Sequence, residues 1–305
     1  MKVVVVGNGL LGSTIRDAAY DECCSFACYE EYGEIQCTCQ GCSTTLLTHE
    51  DIDLTSESSI RAALMQYRPD VVINTAALHT LQACEDDPQR AFDVNARAAE
   101  RLAKLVPTVY ISTDYVFTDG GPHTESMPGQ QPRSVYGRSK LAGELATLEH
   151  GGIVVRVSAL YGHYISRAKG NKGFPDAFLK SHDSIKLPTD QVFSPTYAPD
   201  AAERILNIAG ALALGSGRGI KAPPTAIYHA ANKGSTTWAE FAEHIIALTQ
   251  HKRHVIPYAA KDDLRPRNSA LKSTRLPQLR HWAQALGEWT RREGHQQIVS
   301  PLRAP

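Results

Sequence analysis

The opening stretch, Val3-Val4-Val5-Val6-Gly7-Asn8-Gly9-Leu10-Leu11-Gly12, restricts the fold of this chain more than any other. A run of β-branched side chains ended by glycine reads as a short buried strand, here residues 2–6. The G-x-G-x-x-G that follows opens onto the helix-like Ser13–Ala19, which is the context of a dinucleotide-binding turn. Each glycine has a task there. Gly7 permits the tight turn, Gly9 lets the backbone approach a pyrophosphate, and Gly12 lets the helix pack on the strand. The free N–H groups of the helix N-terminus then face the phosphates.

The α/β rhythm continues along the chain. A second strand is expected over Ser25–Tyr29, leading into Glu30-Glu31. Glu30 stands near the usual distance after the glycines for an acid that binds the adenosine ribose hydroxyls, and it reads equally as a solvated surface charge. In the first role it would repel a 2′-phosphate and favour NADH. Asp51–Thr55 reads as the close of a strand, Ser56–Tyr67 as a helix capped by Ser56 or Ser58, and Val71–Asn74 as a buried strand. A helix is expected from about Asp87 to Val106, then strands at Val109–Thr113 and Ile153–Val157. Helices follow over Asp176–Ser181 and Pro199–Leu214, with Leu187–Thr196 extended between them. The fold class is therefore α/β, a Rossmann-type doubly wound parallel sheet with a smaller C-terminal α+β substrate lobe. Residues 1–160, completed by about 187–214, form the nucleotide domain; 225–290 with about 161–186 form the lobe, and 291–305 a tail.

Composition removes some functions. Lys+Arg equals Asp+Glu, so no overall basic field points to nucleic acid or an anionic membrane. No apolar run approaches the length that spans a bilayer, and a cytoplasmic location is the default expectation. Six of the seven cysteines fall between Cys23 and Cys42, where a zinc site and reduced bystanders are the two readings. The C-x-C-x-x-C at 37–42 lacks the partner that would complete a zinc pattern, and no metal ligand is assigned.

The chemistry-bearing stretch is Tyr110–Glu144. An apolar run delivers Ser112 and Thr113 at its end, and a helical pattern then places Tyr136 and Lys140 four apart on one face. A phenol beside an ammonium is expected to titrate below its ordinary value, with the Thr113 hydroxyl near enough to hold a carbonyl oxygen.

Further motifs occur in order: D-L-T at 53–55, P-D-V-V-I-N-T-A-A at 69–77, E-D-D-P-Q-R-A-F-D-V-N at 85–95 and S-T-D-Y-V-F at 112–117. Then come Y-G-R-S-K-L-A-G-E at 136–144, R-V-S-A-L-Y-G at 156–162, D-Q-V-F-S-P-T at 190–196 and R-P-R-N-S-A-L at 265–271. On these residues the chain resembles the extended short-chain dehydrogenase/reductases, within them the dTDP-4-dehydrorhamnose reductase branch. The resemblance implies reduction by NADH or NADPH of the 4-keto group of a nucleotide-linked 6-deoxysugar. It implies Thr113, Tyr136 and Lys140 as the catalytic set. Gly7, Gly9, Leu10, Leu11, Gly12, Glu30, Asp53, Leu54, Ala76, Ala77 and Asn95 would line the cofactor together with Tyr136 and Lys140. Thr113, Asp114, Val116 and Arg265 would meet the substrate; Trp238 reads better as core. A homodimer and an interfacial Mg2+ are family habits only.

Departures are visible. The glycine loop is one residue shorter than the relatives' usual G-x-x-G-x-x-G, Phe193 replaces a glycine and is expected to reshape the sugar pocket, and Lys272 replaces an aspartate. A 4,6-dehydratase would carry Asp-Glu after the threonine, whereas Asp114 is followed by Tyr115. An epimerase and a non-catalytic regulatory subunit of the same fold are the remaining alternatives.

Overall fold

The computed structural model describes residues 1–21, 28–31, 34–37, 43–163, 173–181, 184–215, 226–260 and 264–294; side chains of residues 20–42 lie outside the description. Six parallel strands form the central sheet: β1 (Lys2–Val6), β2 (Ser43–Leu47), β3 (Val71–Asn74), β4 (Thr108–Thr113), β5 (Ile153–Val157) and β6 (Ile227–His229), in spatial order β6-β5-β4-β3-β1-β2. Alternation along β1 dictates the layers. Val3 and Val5 pack with Leu11 and Ile15 of α1 (Leu10–Asp21), while Val4 and Val6 pack on the other face with Ile60 of α2 (Glu57–Tyr67) and Leu102 of α3 (Ala98–Leu105). The helix α5 (Ala198–Gly215) covers the α1 face with Ala201, Ile205 and Leu212. Sheets buried on both faces need largely apolar strands; β3 and β5 are buried throughout and β1 from Val3 on, with Asn74 and Arg156 as buried polar exceptions.

Local chemistry sets the helix boundaries. Ser56 caps α2 by accepting from the Ser59 N–H at 3.3 Å, as one of the two serines expected to do so. The helical run that Asp87 caps contains a π turn over Asp93–Arg97, directly before α3. The helix α4 (Val135–Glu149) begins at Ser134, whose Oγ accepts from Gly137 N–H at 3.0 Å.

Two expectations about strands need correction. The strand beside β1 is Ser43–Leu47 rather than Ser25–Tyr29, and all five of its residues pair with Lys2–Val6. Cys28–Glu31 instead pairs antiparallel with Glu34–Cys37, because a two-residue connection closes a hairpin locally before a longer-range pairing forms. The stretch after β2 is a turn rather than a strand end: Asp51 accepts from the Thr48 N–H at 2.7 Å and Oγ1 at 2.9 Å.

The smaller lobe also starts later than expected. Ile227–His229 belongs to the main sheet, paired with Val154–Arg156, although the sequence assigned it to the lobe. The lobe proper is held by aromatic packing, with α6 (Trp238–Thr249) and α7 (Trp282–Arg292) closing over Tyr161, Phe178 and Phe193. Ser184–Pro188 joins it through parallel pairing with His254–Tyr258. A capping box at Thr237 and Glu240 fixes the start of α6. No helix among the described residues is long and apolar enough to cross a membrane.

Candidate active site

Between β1 and β3 the strand order reverses, and a crevice at the carboxyl ends of such strands is where α/β sheets bind ligands. Here it is a cleft of about 1360 Å³. The glycine turn forms one wall. Gly7 has φ +108, and a Cβ there would come within 2.8 Å of the Ala76 nitrogen. At Gly12 a Cβ would lie 1.9 Å from the Gly7 carbonyl oxygen, so helix and strand meet only through hydrogen. At Gly9 a Cβ would meet nothing within 4 Å. Gly9 thus leaves open space at the start of α1, and these residues fit a dinucleotide pyrophosphate. Leu10, Leu11, Asp53, Leu54, Ala76 and Ala77 line the same cleft, as the sequence expected. Asp53 sits below the usual carboxylate range because it accepts from the Thr55 hydroxyl at 2.7 Å and N–H at 2.8 Å.

Two expected cofactor residues are placed differently. Glu30 lies on the hairpin outside the main sheet, and its side chain lies outside the description. The residues that leave the strand beside β1 and line the cleft are Thr48 and His49. Asn95 is fully buried and works from behind: its Oδ1 accepts from the Leu78 N–H at 2.9 Å, and its Nδ2 donates to the Leu78 carbonyl and to Ser139 Oγ, each at 2.9 Å. Asn95 therefore ties the Ala76–Leu78 loop to α4 rather than facing the cleft.

Thr113 ends β4 and Tyr136 lies in the first turn of α4. What brings them together is Gly137, where a Cβ would stand 2.4 Å from the Tyr115 carbonyl oxygen; any larger residue would push the helix off the strand end. Glu85 also holds the helix start, accepting from the Val135 N–H at 2.7 Å. Tyr136 and Thr113 face the same cleft, and the Tyr136 ring meets Tyr115 edge-on at 5.6 Å. Burial raises the Tyr136 pKa above the ordinary value, with the nearby Thr113 side chain pulling the other way. The expected lowering by Lys140 is absent from this arrangement. The Lys140 Nζ donates to the Ile111 carbonyl at 2.6 Å and lies 3.9 Å above the Tyr110 ring, and burial brings its pKa down to about 7 against the field of Glu144. A lysine half-way to neutrality is a weak source of positive charge for a neighbouring phenol, which is the physical reason the expectation fails in the ligand-free protein.

The substrate-side residues divide. Arg265 lines the cleft beside Leu264. Asp114 lines it too, but its carboxylate is engaged by the Ser269 hydroxyl at 2.6 Å, the Ser158 hydroxyl at 2.8 Å and the Thr113 hydroxyl at 3.1 Å. Burial nevertheless lifts it to about 6, the three donors only partly opposing this. Asp114 thus fastens the segment carrying Arg265 to the strand ends, a role the sequence did not assign to Ser158 or Ser269 although both sit in quoted motifs. Val116 is buried among Phe117, Ala231 and Leu271, so it is core rather than a substrate contact. The Asp119–Arg133 loop docks on the chain after Arg265: the His123 N–H donates to the Ala270 carbonyl at 2.7 Å. It supports the cleft without lining it. Phe193 likewise points into the lobe, stacked on Trp238 with centroids 4.0 Å apart, and does not reshape the pocket. Trp238 packs as the sequence expected.

Residues that sequence reasoning missed include Ala159 and Gly173, both on the cleft wall with positive φ, +38 and +99. A left-handed alanine is uncommon, and nothing in its sequence neighbourhood signals it. Among the described residues no group of three or more His, Cys, Asp or Glu is arranged to hold a metal ion, and the side chains of Cys23–Cys42 lie outside the description.

A doubly wound sheet whose switch-point cleft gathers a glycine cradle, a strand-end hydroxyl, a phenol and an amine defines the class of short-chain-type nicotinamide-dependent reductases. The chain belongs to the RmlD substrate binding domain family, whose model matches residues 1–294. It is 34% identical over 272 residues to the dTDP-4-dehydrorhamnose reductase of Streptomyces griseus, covering 82% of this chain and 85% of that protein. To the dTDP-4-keto-6-deoxy-D-glucose reductase of Streptomyces niveus it is 27% identical over 263 residues, covering 79% and 85%. The crystal structure of dTDP-4-dehydrorhamnose reductase from Bacillus anthracis in complex with NADP superimposes with a TM-score of 0.77 at 25% identity, over 95% of this chain and 99% of that one.

Proposed function

We propose that the chain reduces the C4 ketone of a nucleotide-linked 6-deoxysugar, with dTDP-4-dehydrorhamnose as substrate and dTDP-L-rhamnose as product. The observation that carries this reading is the gathering of Thr113, Tyr136 and Lys140 in the same cleft as the glycine cradle. Bound NADH or NADPH supplies the hydride. The chain's own residues manage the oxygen. The Thr113 hydroxyl turns from Asp114 Oδ1 to the ketone oxygen, and the Tyr136 O–H delivers the proton to it as negative charge develops. A phenol held above its ordinary pKa is present as the acid throughout the neutral range, which suits proton donation. Lys140, one turn further along α4, favours in its protonated form the phenolate left behind and reaches towards the nicotinamide ribose. Arg265 meets the nucleotide diphosphate, where a planar guanidinium pairs with two oxygens.

The cofactor preference follows from β2 rather than from Glu30. Thr48 and His49 line the cleft at that strand end, and Asp51 is already engaged by the Thr48 N–H and hydroxyl, so the donor left for a 2′-phosphate there is the His49 imidazole. NADPH is then accepted as well as NADH. The test is consumption of each reduced nicotinamide with dTDP-4-dehydrorhamnose and its C4-keto stereoisomers, with product identified by NMR. Turnover of at least one keto-sugar nucleotide is expected; no turnover of any, with the cofactor demonstrably bound, would leave the regulatory-subunit reading in its place.

A further inference from the structure

We infer that Glu144, clamped by Arg156 and Ser112, is a positioning residue that sets the charge on Lys140. This rests on the reading of Lys140 as the working cation of the reductase. Tyr136, Lys140 and Glu144 occupy successive four-residue steps on the face of α4 that meets the sheet. Glu144 is 1% exposed and Arg156 fully buried, and neither lines the cleft. The carboxylate is fixed from three directions. Its Oε1 accepts from Ser112 Oγ at 2.5 Å and Arg156 Nε at 2.8 Å, and its Oε2 accepts from Arg156 Nη2 at 2.6 Å. Arg156 in turn donates from Nη1 to the Met127 carbonyl at 3.3 Å and lies 4.8 Å above the Phe117 ring.

A buried ion pair adds little net stability over an apolar replacement, so its place one turn from Lys140 asks for a different account. The groups around that ammonium supply it. Tyr110 lies beneath it on β4 and Tyr136 precedes it on α4, both held neutral by burial. Asp114, at the end of β4, is surrounded by its three hydroxyl donors. Arg156, on β5, stands beyond Glu144 and is paired with it. Glu144 is the anion whose field opposes the burial that brings Lys140 down to about 7. Consecutive residues of β4 hold the two groups, Ile111 taking the Lys140 ammonium and Ser112 the Glu144 carboxylate, while Arg156 reaches that carboxylate from β5. Removing the carboxylate and removing the guanidinium that neutralises it should therefore move Lys140 in opposite directions.

The test uses the full chain, ligand-free, with carbon-13-labelled lysine; the Lys140 resonance is assigned by its loss in Lys140→Arg, and its titration midpoint is compared among variants. Glu144→Gln is expected to lower the midpoint by about 1 pH unit and Arg156→Met to raise it by about 0.5–1. The alkaline limb of turnover should move in the same two directions. Shifts of the same sign in both variants, or no shift in either, would overturn the inference. If either single variant fails to fold, Glu144→Gln/Arg156→Met, which leaves no buried charge unpaired, is read alone. A midpoint below wild type supports the inference, and one at or above wild type refutes it. Wild-type protein that titrates as described yet turns over no keto-sugar would instead sink the reductase reading, so the two failures are separable.

Discussion

The glycine cradle makes a prediction in which two neighbouring substitutions of the same kind behave differently. A Cβ at Gly9 meets nothing within 4 Å, and the residue's φ is not in the left-handed region. Gly9→Ala thus gains from a less flexible unfolded chain but gives up a better helix cap, since the Gly9 carbonyl accepts from the Ser13 N–H at 3.0 Å at the start of α1. The two effects nearly cancel, and the unliganded protein should keep its stability within about 0.5 kcal/mol. At Gly12 the Cβ would stand 1.9 Å from a backbone oxygen that cannot swing aside. Gly12→Ala should cost about 1–3 kcal/mol as α1 is forced off β1. Binding should sort differently from stability. The open space at Gly9 is where a pyrophosphate would approach the backbone, so the added methyl should raise the NADPH dissociation constant at least about tenfold, about 1.4 kcal/mol. Denaturant melts of the two variants, with and without NADPH, and cofactor titration by fluorescence quenching read these quantities directly. A Gly9→Ala protein that binds NADPH as wild type does would refute the placement of the pyrophosphate. A Gly12→Ala protein as stable as wild type would refute the contact geometry.

The raised carboxyl of Asp114 yields a pH-dependent stability. Its folded value of about 6 exceeds the ordinary 3.8, so its contribution is complete below that ordinary value and lost as pH rises through about 6. Relative to Asp114→Asn, wild type should lose about 3 kcal/mol across this window, measured by urea melts at its two ends; a pH-independent difference would contradict the burial argument. Phe193→Ala should destabilise the smaller lobe by about 3–5 kcal/mol without altering the KM for sugar, because the ring packs on Trp238 away from the cleft. A large change in sugar KM with unchanged stability would restore the pocket role. Arg265→Ala should raise the KM for the nucleotide sugar and leave the NADPH dissociation constant unchanged, as initial rates and binding titrations together would show; equal losses in both would place Arg265 on the cofactor.

Much of the sheet was legible because β-branched runs bounded by glycine and proline leave few alternatives, as at Val3–Val6 and Val71–Asn74. The hydroxyl, phenol and amine of the cleft were legible from spacing and motif alone. What spacing could not show was direction. Val116 and Asn95 sit in motifs that the family resemblance ties to binding, yet one turns into core and the other braces a loop from behind. Lys140 stands on the expected face, but the sequence does not reveal that its amine meets the Ile111 carbonyl before any phenol. Glu30 misled for a topological reason: counting residues from the glycines assumes the next extended stretch joins β1, and here a hairpin intervenes before Ser43–Leu47 does so. The couplings Ser158–Asp114–Ser269 and Ser112–Glu144–Arg156 link residues far apart in the chain, and no local pattern announces them.

The central claim is that hydride reaches the sugar C4 while Tyr136 protonates the oxygen. Incubation of dTDP-4-dehydrorhamnose with nicotinamide cofactor carrying deuterium at its C4, followed by NMR of the product, tests it most directly when wild type and Tyr136→Phe are compared. The account predicts deuterium at the sugar C4 with wild type and a rate lower by about 100-fold or more with Tyr136→Phe, which should still bind the cofactor. Equal label transfer at equal rates in the two proteins, or wild-type turnover without label at C4, would contradict it.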